Sequence, residues 1–303
     1  QRWVVRGGME NWIQVALVLL EAVGFLLNGL VLYLVWRQGL HRIDMWLVLF
    51  ITLNDVVLLM DKLGEAVVLL AADKSLVLDP LIGPWLGVFL VLCLHLSTGF
   101  SGCLALIRFW VIVLKRPIVS RRWWMVLVLL VMWLVLWLVA TKLHGGMELV
   151  SNQRFYYPSP SAGWVSMSCR VMLALWHIVS LLLIDICYPC IAMQYVSDLS
   201  HFSEDELFDP RILRSRQTWT VCKIATIVSL YNVILLPILV LFILDLVSKP
   251  MSVEQAGLAG IGMMSLTIIN PIMLLTLHYG TAIELQSLRR SCFHLKKKLS
   301  TSL

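Results

Sequence analysis

Four polar residues sit deep inside long apolar runs: Asn28, Asp55, Ser97 and Asn270. A charged or strongly polar side chain is costly in hydrocarbon, so at membrane depth each is a candidate for function. A carboxylate, a hydroxyl and two amides are hard oxygen ligands, a set suited to a small cation with its waters. The same groups also suit a hydrogen-bond network between helices that holds no ion. The two readings do not exclude each other. If the four converge, Asp55 supplies the charge and Asn270 the link to the last apolar segment.

Arg108 is a second oddity. It lies in Leu104-Ala-Leu-Ile-Arg-Phe-Trp-Val-Ile-Val-Leu-Lys-Arg-Pro117, with two turns of apolar residues between it and Lys115. That is deeper than snorkelling to the membrane surface requires. Pro189, Pro237 and Pro271 interrupt three further apolar runs, where each removes a helix hydrogen bond and permits a kink. Other chemistry is sparse. Cys187 and Cys190 form a lone C-x-x-C, and Cys169 has no evident disulfide partner. His95 and His177 have no acidic neighbours at metal-ligand spacing, which argues against a membrane metallohydrolase.

The elements that must position these groups are seven apolar stretches, at about 11–36, 43–71, 82–114, 123–142, 170–197, 218–245 and 255–277. Hydrophobic residues are 60% of the chain, charged ones 14%, and mean hydropathy is +0.87. A soluble domain carries about a quarter charged residues. About 20 apolar residues of helix cross a bilayer, and lipid offers backbone groups no partner, so helices are required. The expected fold is all-α, one domain over 1–303. The net charge of +6 is unevenly distributed. Counting connectors from the N-terminus, the odd-numbered ones and the tail carry fifteen Lys and Arg, including Arg37, Arg116, Arg122, Arg214 and Lys296, against eight on the other face. The positive-inside rule then puts the N-terminus outside and the tail in the cytoplasm. It also accounts for the basic balance without nucleic acid.

The longest connectors are 145–167, rich in Gly, Pro and aromatic residues and expected to fold as an outer lid, and 198–218. Residues 281–292 read as a short amphipathic helix on the inner leaflet. Cys292 next to Lys296–Lys298 offers two signals for membrane anchoring if the thiol is palmitoylated.

Taken together, these placements resemble the rhodopsin-like (class A) G-protein-coupled receptors across all seven segments. Gly-Phe-Leu-Leu-Asn28 looks like the first-span Asn signature and Leu53-Asn54-Asp55 like the second-span Asp motif. Ile107-Arg108-Phe109 stands at the Asp/Glu-Arg-Tyr position, followed by Pro117. Trp133, Pro189, Pro237 and Asn270-Pro271 match later landmarks. The resemblance implies a receptor that passes an extracellular ligand signal to a heterotrimeric G protein by helix rearrangement, at the plasma membrane. It implies a sodium site at Asn28, Asp55, Ser97 and Asn270. It also implies G-protein coupling through Arg108, Phe109 and Pro117. A ligand pocket in the outer half would draw on Asp61, Lys62, Glu65, Leu90, Leu94, His95, Asp185, Tyr231, Ile238 and Phe242. Within it His95 and Asp185 are expected to pair, since spans three and five are neighbours in that fold.

Departures are specific. Ile107 replaces the acidic neighbour of Arg108, Leu235 the usual Trp, Leu274 the usual Tyr, and Gly83 the usual outer Cys. They point to a divergent member, with a non-animal source left open, and leave a non-signalling relative as one alternative. Span seven has no Lys for a retinal Schiff base. A seven-span transporter is the other alternative, against which no similarity between the halves is visible.

The charge asymmetry predicts that a tag at the N-terminus is cleaved by protease added outside intact cells and one at the C-terminus is protected. The reverse pattern overturns both the orientation and the receptor resemblance.

Overall fold

The computed structural model describes residues 2–38, 43–70, 83–150, 155–159, 163–204, 210–247 and 253–280. Side chains within them are described over 19–37, 43–60, 83–148, 158–159, 163–198, 214–244 apart from 216 and 242, and 261–277 apart from 263. The amphipathic segment expected at 281–292, with Cys292, lies outside the described residues. So do the side chains of Asp61, Lys62, Glu65 and Phe242.

Seven α-helices follow in order among the described residues: α1 (Arg2–Gln38), α2 (Ile43–Leu70), α3 (Gly83–Ile112), α4 (Ser120–Leu143), α5 (Trp164–Glu204), α6 (Pro210–Val247) and α7 (Val253–Met273). α7 continues as wider π-helical turns over Leu274–Gly280. Between α4 and α5, β1 (Met147–Val150) and β2 (Phe155–Pro158) form an antiparallel hairpin, Met147 opposite Pro158 and Val150 opposite Phe155. Most helices outrun their apolar segments; α5 is 41 residues long, where about 20 suffice to cross.

Six helices contain stretches long and apolar enough to cross a membrane: Leu19–Arg37, Ile43–Met60, Gly83–Ile112, Ser120–Leu143, Trp164–Asp198 and Gln217–Leu241. The last helix adds a shorter apolar run, Met264–Leu277. The chain is a multi-pass membrane protein. Its outward faces agree with hydrocarbon as solvent. α4 buries only the stripe Leu127, Leu134, Leu138 and Thr141, while Leu129 and Leu136 are 68% and 64% exposed. Lipid tails are as apolar as leucine, so such faces cost nothing there.

α1 packs on α2 and α7, α2 on α3, α3 on α5, α5 on α6, and α6 on α7, which closes a ring. α3 runs through it, touching α2, α4, α5 and α7, with its closest partner α5. Two features explain that closeness. A Cβ added at Gly102 would lie 3.1 Å from the Ser180 Cα, so the backbones nearly touch. At Gly99 the Trp176 indole fills the missing side chain's place, 2.3 Å from where a Cβ would stand, and Trp176 Nε1 donates to the His95 carbonyl at 2.6 Å. α3 ends where Lys115 takes φ 51°, letting the Arg116 amide reach back to the Trp110 carbonyl at 3.2 Å. That is a left-handed helix cap on a residue other than glycine.

Gly99→Ala should therefore lower stability by about 1–3 kcal/mol, because the indole must move and its hydrogen bond weakens. Gly29→Ala, where a Cβ meets nothing within 4 Å, should stay within about 0.5 kcal/mol of the parent. Thermal unfolding in one detergent compares the two.

Candidate functional site

At the centre of the bundle α2, α3 and α7 each place a polar group on the same point. Ser97 Oγ donates to Asp55 Oδ1 at 2.5 Å. Asn270 Nδ2 donates to Asp55 Oδ2 at 3.0 Å and Oδ1 at 3.3 Å, and lies 2.6 Å from Ser97 Oγ. All three side chains are fully buried. The other end of the Asn270 amide is engaged as well. Its Oδ1 accepts from Ser101 Oγ at 3.2 Å and from the Tyr231 hydroxyl on α6. Ser101 follows Ser97 by one turn, and its one hydroxyl proton is shared between that Asn270 oxygen and the Ser97 carbonyl, 2.9 Å away. One amide thus joins four helices.

Asn28 does not touch this cluster. Its Nδ2 donates to the Thr267 carbonyl at 2.8 Å and to the Gly24 carbonyl at 2.9 Å, tying α1 to α7. Its fully buried Oδ1 accepts no hydrogen bond among the described residues. The oxygens of Asp55 and Ser97 are hard donors that fit a sodium ion. Both carboxylate oxygens already accept hydrogen bonds, from Ser97 and Asn270.

Arg108 is buried near the opposite end of α3 from the hairpin. Its Nη1 donates to the Tyr188 hydroxyl on α5 at 3.3 Å, and that hydroxyl donates to Met273 Sδ on α7 at 3.2 Å. Beside it Ile107 is buried and Phe109 half-buried against the main core; Pro117 is exposed beyond the cap. At the same end Lys115 pairs with Asp198 at 3.0 Å, both well exposed, and Gln217 Nε2 donates to the Val196 carbonyl at 3.2 Å.

The groups expected around a ligand scatter. Leu94 and Ile238 are core residues and Leu90 is half-buried. Tyr231 belongs to the central cluster. The expected His95–Asp185 pair does not form. His95 Nδ1 lies 2.7 Å from the Val91 carbonyl, and its ring packs 4.5 Å from that of His177. Asp185 Oδ1 instead accepts from Asn232 Nδ2 on α6 at 2.7 Å. The physical reason is depth. His177 is level with His95, and Asp185 lies eight residues, about 12 Å, further along α5.

Tyr188, His177, Ser101 and Trp176 are the participants that sequence reasoning missed. Ser101 had a signal, its i+4 spacing from Ser97. Tyr188, inside an apolar run, had none. Among the described residues, no three His, Cys, Asp or Glu side chains gather where they could hold a metal. In comparison with known proteins, the chain matches no family model and no curated protein.

Asn270→Ala should destabilise the protein by about 2–3 kcal/mol, since it leaves a buried carboxylate with one donor fewer. In the same background Asp55→Ala should cost less than it does alone, because the two share one network. Additive losses in a double-mutant cycle of thermal unfolding would separate them.

Proposed function

We propose that the chain is a seven-span receptor that carries a ligand signal across the membrane to a heterotrimeric G protein by rearranging its helices. The observation that best supports this is the Asn270 amide, which holds α2, α3, α6 and α7 through a single side chain. Rotation or sliding of α6 or α7 cannot proceed gradually against such a contact. It must exchange one satisfied set of hydrogen bonds for another, because an unsatisfied group in this interior is costly. That gives two discrete states, between which a ligand with differential affinity can choose.

Arg108 adds to the reading. Its Nη1 donates to the neutral hydroxyl of Tyr188, and its neighbour Ile107 supplies no charge. In the proposed orientation this end faces the cytoplasm. There Arg108, Phe109 and Pro117 would meet the G protein, while the hairpin end receives the ligand at the cell surface. Sodium at Asp55 and Ser97 would favour one of the two states. A palmitoylated Cys292 would hold the tail to the inner leaflet.

Nucleotide exchange on a panel of heterotrimeric G proteins, with the protein in nanodiscs, tests the reading. One G protein at least should exchange faster than with empty discs, and Arg108→Ala should abolish the gain. Ile107→Asp, which gives Arg108 an acidic neighbour, should lower exchange without ligand. No exchange with any partner, with or without ligand, would overturn it.

A further inference from the structure

Asp185 is a carboxylate in the wrong solvent. It lies 13 residues, about 20 Å, along α5 from Asp198, and its partner Asn232 lies 15 residues, about 22 Å, along α6 from Gln217. Both are thus near the middle of their crossings. Both are half-buried, on the seam between α5 and α6, with Leu182, Ile186, Val233 and Leu236 all at least 50% exposed beside them. A carboxylate at this depth that is not enclosed by the bundle is the costliest placement available to it.

The hydrogen-bond inventory of the pair is one-sided. Asn232 Nδ2 has two protons, and both are used, one on Asp185 Oδ1 at 2.7 Å and one on the Val228 carbonyl at 3.0 Å. Asp185 Oδ2 and Asn232 Oδ1 accept no hydrogen bond among the described residues. The seam therefore presents two acceptors, a negative charge and no donor, framed by apolar side chains.

We propose that the α5–α6 seam is a binding site for a hydrophobic amine that enters from the bilayer. A protonated primary amine has three donors and no acceptor. It can satisfy both oxygens and neutralise Asp185, while its alkyl chain lies along Leu182, Ile186, Val233 and Leu236. A second copy of the chain is a poorer occupant. A two-fold contact sets a patch against itself, which would bring two carboxylates and two sets of free acceptors together. The site stands on its own geometry, and occupancy does not require coupling to a G protein.

Binding of radiolabelled dodecylamine to the full chain in phosphatidylcholine nanodiscs, against empty discs, tests it. Wild type should bind saturably. Unlabelled dodecylamine should compete and dodecanol, of equal chain length but uncharged, should not. Asp185→Asn should weaken binding about tenfold or more, whereas Asp185→Glu should retain it. The amine–alcohol comparison uses wild type alone, so it decides even if Asp185→Asn misfolds. Equal competition by dodecanol, unsaturable uptake, or unchanged binding in a folded Asp185→Asn protein would each overturn the proposal. So would a disulfide dimer that forms through Val233→Cys in the otherwise unchanged chain and is lost when Asp185→Asn is added.

Discussion

A carboxylate in the middle of a hydrocarbon-solvated bundle must be met by donors from several helices, and Asp55 imposes that condition on the rest of this structure. Its oxygens take hydrogen bonds from Ser97 and Asn270. This fixes the depth at which α3 and α7 pass α2, and their rotation as well, since a helix turned by one residue would aim the donor elsewhere. Asn270 then extends the constraint to α6 through Tyr231. Asn28 brings in α1 by bonding the Thr267 carbonyl one turn before Asn270. α5 is set by another means, the close approach of Gly99 and Gly102 on α3 to Trp176 and Ser180.

The result is a bundle with polar contacts at separate levels and apolar packing between them. Ser97 and Arg108 are eleven residues apart on α3, about 16 Å, and Leu104 and Ile107 fill the interval as fully buried core. Each level crosses from α3 to α7. The central one does so through Asn270, the far one through Tyr188 to Met273. Movement of α7 is felt at both, and a sulfur is a weak acceptor that costs little to lose. The central contact is therefore the strong one and the far contact the yielding one.

Bilayer as solvent also changes what an exposed residue means. Apolar faces such as that of α4 require no partner, while a polar group on the rim does. The balance is the reverse of that in water, and it is why Asp185 and Asn232 stand out where Leu129 and Leu136 do not.

The sequence by itself determined the seven apolar helices of the described residues, their order, and how deep each polar residue lies along its own helix. Runs of about 20 apolar residues have one backbone solution in lipid, so the helical elements were legible, and with them the convergence of Asp55, Ser97 and Asn270 at similar depth. The folding of the 145–167 connector was legible in part, as a structured segment though not as a hairpin. Tertiary structure alone decided which faces met and how the helices were offset along their axes. His95 and Asp185 both lie in apolar runs of neighbouring helices, yet an axial difference of two turns gives His95 to His177 and Asp185 to Asn232. Tyr188 reads as one more apolar-run aromatic until α5 turns it toward Arg108. Hydropathy reports distance from the membrane surface; it holds no term for the angle at which one helix faces another, and that angle chose the partners.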